Sequence, residues 1–402
     1  MLPRRIAILA PILTALIFGA GGGLLGPLRP ALAAELRVSV ADSSILFSLF
    51  FTGALLATTA GGYLADRFGK KLLFALTLAL FAGGFLLFAL APSFPVVCLA
   101  SFLIGATGGT LEGLCSAIIA DMDPAHVNRN MNLLQVAFSA GAVGALSLVG
   151  WLPAAGVSWR VPYLALGGAA ALLCVSSLFM ARPPIHPAER MHLALARRVF
   201  SDPAVALLAV AIALYVGAEM SLAWLASRML ELQFHAGADA AARIALLFWL
   251  TMGVGRVIIG VLAHRVPGYT LLRWLVGGGL LAYGVLFLPL GAAGLWLGVG
   301  LAGFAFSGIW PLLVGLGACR YPAYTGTVVA LLVSSGTAGG LIFPALGGYF
   351  LESRPAWNIL LLMAVLFVLL AGVLARYGRH ETRGAPPAIG APPAPAGAPP
   401  PA

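Results

Sequence analysis

Charge is what this chain has least of. Among 402 residues there are 13 acids and 23 bases, so charged residues make up 9% against 61% hydrophobic. Soluble globular chains carry about a quarter, and the scarcity excludes a water-solvated surface over most of the length. Catalytic patterns are missing as well. No HExxH, no P-loop and no GxSxG occurs, and the acids within apolar runs have no nucleophile beside them, which argues against an enzyme. The four cysteines, Cys98, Cys115, Cys174 and Cys319, form no CxxC pair, and three lie inside apolar runs. That spacing excludes a disulfide framework or a cysteine metal site, and no cofactor is implied. The net charge of +10 is spread among the connections rather than gathered in a patch, which argues against a nucleic-acid partner. No connection is long enough for a sensory domain.

What is present is long and apolar. The mean hydropathy is +1.01, and runs of about 18 residues or more recur, each able to cross a ~30 Å hydrocarbon layer as a helix. The runs are continuous rather than alternating, which selects helices over a barrel. Twelve spans are expected, near 6–34, 43–65, 71–91, 95–121, 130–153, 160–181, 203–229, 241–263, 270–290, 292–318, 325–350 and 356–377. The first run continues past Gly23 without a clear cleavage site, so it reads as a retained helix rather than a leader. The longest polar connection, basic and proline-containing, divides the chain into halves at 1–182 and 203–378, with a linker over 183–202. From 379 to 402 the chain is mostly Pro, Ala and Gly and is expected to be disordered.

Orientation follows from the bases. With both termini in the cytoplasm, five of the 23 fall on the opposite side (Arg37, Arg160, Arg228, Arg243 and Arg354) and two lie within spans (Arg29 and Arg256). The other sixteen lie on the cytoplasmic side, a clear positive-inside bias.

The connection between spans 2 and 3 reads Gly62-Tyr63-Leu64-Ala65-Asp66-Arg67-Phe68-Gly69-Lys70-Lys71. A positive-inside anchor would explain Arg67, Lys70 and Lys71 but would require neither Asp66 nor both glycines. A shift of 198 positions lands on Gly260-Val-Leu-Ala-His264-Arg265, which keeps Gly, Leu, Ala and Arg and replaces the acid with histidine. The match supports a duplicated six-helix unit.

Ionisable side chains at bilayer depth are costly and usually face a cavity or a partner. Glu112 lies inside span 4, Glu219 near the middle of span 7, and Arg256 in span 8. Counting ~1.5 Å per residue from the ends of spans 4 and 5 puts Glu112 and Gln135 at comparable depth, in reach of one polar pocket. Each acid reads either as a proton-handling group or as a structural acid bonded to a neighbouring helix. Arg256 reads as a helix bridge or a substrate counter-charge. Asn132 and Gln135 read as sugar-hydroxyl partners or as interhelix bonds. Trp224, Trp249, Phe304, Phe306 and Trp310 are candidates to line a cavity. Trp310 is the strongest, because Gly308 and Pro311 imply an irregular helix around it.

The GxLADRxGKK stretch resembles the hallmark of the major facilitator superfamily. That resemblance implies an all-α fold of twelve transmembrane helices in two pseudo-symmetric halves, moving a small solute by alternating access. Gly62, Asp66, Arg67, Gly69, Lys70, Lys71 and Arg265 would then belong to the gating motif. Several shorter pieces resemble the fucose–glucose–galactose–proton symporters. These are Leu111-Glu112, Asn132-Leu-Leu-Gln135, Tyr215-Val-Gly-Ala-Glu219, Gly255-Arg256, Gly303-Phe304, Trp310-Pro311 and Ile342-Phe343-Pro344. By that resemblance Glu112 and Gln135 would contact the sugar or handle the proton; Asn132, Glu219 and Trp310 complete the expected substrate-binding set, with Glu112 and Glu219 coupling protons. The expected function is proton-coupled uptake of a sugar or similar polar compound by a monomer in the cytoplasmic membrane. The alternatives are amphiphile efflux by proton antiport and organic-anion transport. One departure is plain: those symporters carry an acid in span 1 where this chain has Gly23, and Glu219 is the substitute available in the opposite half.

Overall fold

The computed structural model describes residues 2–39, 42–149, 152, 155–181, 199, 201–235, 238–353 and 356–381, and their regular structure is entirely helical. In chain order the first half holds α1 (Leu2–Leu36), α2 (Ile45–Phe68), α3 (Lys70–Leu90), α4 (Phe94–Met122), α5 (Val127–Val149) and α6 (Arg160–Leu178). The second holds α7 (Pro203–Gln233), α8 (Ala238–Leu262), α9 (Gly268–Phe287), α10 (Gly291–Phe306), α11 (Ile309–Arg320), α12 (Thr325–Ser353) and α13 (Ala356–Glu381). Helices α10 and α11 form one span, broken at Ser307 and Gly308 just before Pro311, as the irregular sequence there implied. Eleven stretches among the described residues are long and apolar enough to cross a bilayer. Helix α5, whose first turns carry Asn128, Arg129, Asn130, Asn132 and Gln135, completes the twelve. Most of the linker expected at 183–202 lies outside the described residues, as does the tail from 382 onward; α13 itself runs to Glu381.

The two halves repeat one packing scheme. Helix α1 packs on α5, α2 on α4 and α3 on α6; in the second half α7 packs on α12, α8 on α10 and α9 on α13. Glycines set the closest approaches. A Cβ on Gly105 would lie 1.9 Å from the Phe50 carbonyl oxygen, and one on Gly303 would lie 2.5 Å from that of Phe248. Both members of the second pair stand 198 positions after those of the first, so the duplication extends to backbone contact. With lipid tails as apolar as the side chains, helices associate by such close packing. Gly105→Val is expected to force α2 from α4 at a cost of about 1–3 kcal/mol. The detergent-solubilised protein should melt several degrees lower; an unchanged melting temperature would show that the contact relaxes freely.

Large side chains on the outer faces, including Leu90, Leu172, Phe179 and Trp274, are more than half exposed. In water such a surface would aggregate; in a bilayer it is the face the solvent prefers.

At the start of α7, Asp202 accepts a bond from the Ala204 amide (2.8 Å) and from Arg320 Nε (3.1 Å) and the Tyr321 hydroxyl (2.6 Å) at the end of α11. Burial pushes its carboxyl up, but the bonds from Tyr321, Arg320 and the Ala204 amide outweigh it and hold it below the usual carboxylate range. A depressed folded-state pKa adds stability above the ordinary range and loses it as pH falls through the folded value. Asp202→Asn keeps the cap but removes the charge facing Arg320 and Tyr321, and is therefore expected to lower the melting temperature at pH 7, with a loss of about 1 kcal/mol. The difference should shrink below about pH 4.

Candidate functional site

The halves meet at the end of the bundle that carries the Asp66 motif. Asp66, at the last turn of α2, accepts bonds from the Gly326 amide (3.2 Å), the Thr327 amide (2.6 Å) and the Thr327 hydroxyl (2.8 Å), all at the start of α12. A carboxylate thus caps a helix N-terminus across the seam, where free amides and the helix dipole favour negative charge. Lys70 donates to Asp121 Oδ2 of α4 (2.6 Å) and to the Thr325 hydroxyl (2.6 Å), with Asp66 Oδ1 3.4 Å away. The Thr325 hydroxyl in turn donates to Asp121 (2.8 Å). Gly62 lets the chains close, since a Cβ there would sit 2.4 Å from the Gly326 carbonyl oxygen. Gly69 turns the chain into α3 at φ 100°, a region an L side chain rarely adopts. Lys71 faces away from the seam and donates to the Leu178 and Met180 carbonyls at the end of α6, both at 2.7 Å. Arg67 bonds the Tyr63 hydroxyl (3.2 Å), and Arg265 is exposed.

The second seam joins α5 to α8. Arg256, 4% exposed, donates from Nη1 to the Gln135 carbonyl (3.2 Å) and to the Ser139 hydroxyl, while its Nε has no partner. Two acids from opposite halves interact with this guanidinium electrostatically, Glu112 on α4 and Glu219 on α7. Neither lies within 4 Å of it as an ion pair among the described residues. The Gln135 amide is hydrogen-bonded to Glu112, and the Glu219 carboxyl engages the Tyr215 hydroxyl one turn earlier. The single Tyr215 hydroxyl proton is shared between that carboxyl and the Phe306 carbonyl at the α10–α11 break (3.0 Å). Two carboxyls and one guanidinium therefore share the interior without a closed pair.

Beside Glu112 lies a cavity of about 10 Å³, the room of about one water, lined by Thr14, Phe18, Cys115, Gln135 and Phe138 among others. Phe18 stacks on Phe50 (6.0 Å between centroids) and meets Phe138 edge-on (5.7 Å). The wall is thus mostly apolar, with one carboxyl and one amide set into it.

Two bundles of six spans thus meet through Asp66 and Lys70 at one end and hold ionisable groups between them. The model of the Major Facilitator Superfamily matches residues 12–344. The chain belongs to that superfamily. It is similar to the uncharacterized MFS-type transporter YceJ of Bacillus subtilis, 24% identical over 379 residues that cover 91% of this chain and 95% of the relative. It is also similar to the quinolone resistance protein NorA of Staphylococcus aureus, 28% identical over 165 residues. That match covers 41% of this chain and 42% of NorA. Among solved structures, FucP in the outward conformation superposes with a TM-score of 0.79 at 17% identity, over 92% of this chain and 98% of that one. The human organic anion transporter MFSD10 gives 0.77 at 20% identity, over 92% and 99%. At these identities the structural likeness speaks for the fold alone.

As a major facilitator the chain is a multi-pass membrane transporter and not an enzyme. Of the residues singled out by sequence, Glu112 and Gln135 come together, with Arg256 reaching Gln135 from the other half. Asn132 does not join them: it is fully buried, donates to the Asn128 carbonyl (2.8 Å) and faces Gly260. Trp310 is 7% exposed within the core of the second half and does not line the Glu112 cavity. The side chain of Trp224 lies outside the described residues. Gly23 faces Ala142, where a Cβ would be 2.9 Å from the carbonyl oxygen, so the α1–α5 crossing has no room for an acid. Ser139, Asp121, Thr325 and Thr327 went unseen in the sequence. The available signal was a second repeat, Pro124-Ala-His126 against Pro322-Ala-Tyr324, again 198 positions apart and just before α5 and α12.

Proposed function

We propose that the chain is a proton-coupled secondary transporter of a small polar solute, sugar-like in its hydroxyl groups, working by alternating access between halves at 1–182 and 203–378. The carrying observation is that Glu112 and Gln135 share a cavity wall in one half, while Arg256 of the other half bonds the Gln135 carbonyl. One site thus senses both halves at once. With two acids and one base inside, full ionisation leaves one net negative charge, which a single proton neutralises; Glu112 and Glu219 are the proposed carriers. Asn132 and Trp310 belong in this reading as supports of α5 and α11 rather than as contacts.

The basic residues assign the motif end to the cytoplasm, and in a bacterium the membrane is the inner one. We read the seams at that end as closure toward the cytoplasm, in a protein acting as a monomer. The apolar walls at Phe18, Leu111, Leu134 and Phe138, with the resemblance to NorA over part of its length, favour a second reading: efflux of amphiphiles by proton antiport.

Reconstituted vesicles decide between the two. Hexose accumulation driven by an inward proton gradient supports the first, and gradient-dependent dye extrusion without hexose uptake replaces it with the second. Flux indifferent to the gradient removes proton coupling from both.

A further inference from the structure

Two rings stand over the Glu112 cavity on the side away from the Asp66 motif. Helices α1 and α5 leave the motif end and α4 returns to it, so depth along each follows at ~1.5 Å per residue. Thr14 and Cys115 therefore line the motif side of the cavity, and Phe18 and Phe138 its opposite side. The two rings meet edge-on at 5.7 Å. Phe18 also stacks on Phe50 and stands edge-on to Phe81 at 6.2 Å. The backbones beneath the rings are fixed, because a Cβ on Gly19 would strike the Phe138 carbonyl and one on Gly141 the Leu16 carbonyl. Phe18 itself is seated on Gly108, one turn before Glu112 on α4, where a Cβ would run into its ring. Its neighbours are aromatic faces and a glycine, so turning the ring breaks no hydrogen bond.

Access ends at these rings. Phe18, Phe138 and Glu112 are partly exposed, whereas Thr14 and Cys115 beyond them are each 1% exposed. The space between is about 10 Å³, against roughly 300–1,000 Å³ for a site that holds a small molecule. Water passes and a solute does not. We propose that Phe18 is a specificity-determining residue, a turning ring that admits solute to Glu112 and Gln135 and sets its largest size. This rests on the reading of that pair as the solute site. A ring that swings aside vacates about the space of one six-membered ring, bounded by a carboxyl, an amide and the face of Phe138. That space suits a monosaccharide-sized polyol, whose hydroxyls both donate and accept, and it excludes a disaccharide.

Cys115 serves as the reporter, in a protein with Cys98, Cys174 and Cys319 replaced by serine, in nanodiscs without substrate. Two thiol reagents are compared, the small 2-aminoethyl methanethiosulfonate and the bulky fluorescein maleimide. Labelling scales with the fraction of molecules in which the ring is aside, so Phe18→Ala should speed the small reagent about tenfold and the bulky one by more. Phe81→Leu is the control. Phe81 packs on Phe18 but does not line the cavity, so this change should leave both rates close to the parent's. In reconstituted vesicles Phe18→Ala should raise maltose exchange relative to glucose exchange by about fivefold or more. Labelling unchanged by Phe18→Ala, or accelerated equally by Phe81→Leu, overturns the proposal, and so does an unchanged ratio of the two sugars. Faster labelling in a protein that moves neither sugar supports the ring as the lid and removes the sugar reading instead.

Discussion

Asp66→Asn is expected to cut transport turnover at least tenfold while leaving the equilibrium dissociation constant for substrate within about threefold. The carboxylate is 2% exposed and receives two amides and a hydroxyl from the start of α12. An amide side chain keeps the shape but turns one acceptor into a donor aimed at backbone N–H groups. Hydrogen bonds to a charged group contribute about 1.5–3 kcal/mol each, so loss of one moves the closed-to-open ratio of this seam by roughly 10- to 100-fold. Lys70 does not compensate, because it is already held by Asp121 and Thr325. The proposed substrate region lies elsewhere, around Glu112, so binding should change little. Flux and equilibrium binding measured on the same reconstituted preparation check this. Turnover equal to the parent's would reduce the motif to an insertion anchor.

Glu112→Gln is expected to abolish uphill accumulation, by a hundredfold or more, while the protein still folds and still exchanges substrate down its gradient. The change keeps the hydrogen bond to Gln135 and the volume of the cavity wall, but removes the only ionisable oxygen pair lining that cavity among the described residues. It also leaves ionised Glu219 alone facing Arg256, so the interior is already neutral without a proton and has less need to take one. Transport in the variant should lose its response to an imposed pH gradient. Counterflow with labelled substrate separates this outcome from misfolding, since exchange needs the site and the conformational change but no net proton movement. Undiminished gradient-driven accumulation would move the coupling role to Glu219, and the same change there would then be decisive.

The architecture was legible because its causes are local and repeated. Continuous apolar runs of bilayer length admit only helices, glycine and proline mark the breaks, and a motif repeated at 198 residues announces the second half. The break before Pro311 and the turn at Gly69 follow from the same one-dimensional chemistry. The pairing of Glu112 with Gln135 was legible too, because helices of known rise leaving one boundary in opposite directions bring equal depths side by side.

Depth, however, is not direction. Asn132 lies one turn from Gln135 on α5, yet it faces Gly260 on α8 rather than the cavity, because the azimuth of a side chain is set by which helix packs on which face. Trp310 is turned into the core of the second half for the same reason. Ser139 received the Arg256 guanidinium, and Thr325 and Thr327 met Lys70 and Asp66, only because two helices distant in sequence close at a seam. The sequence by itself determined twelve spans, two halves and a charged motif at one end, since hydrophobicity, helix rise and backbone chemistry act along the chain. Only the tertiary structure decided that Asp66 caps α12 and that Arg256 bonds α5 without pairing either acid, because contacts across the two seams depend on how one half sits on the other.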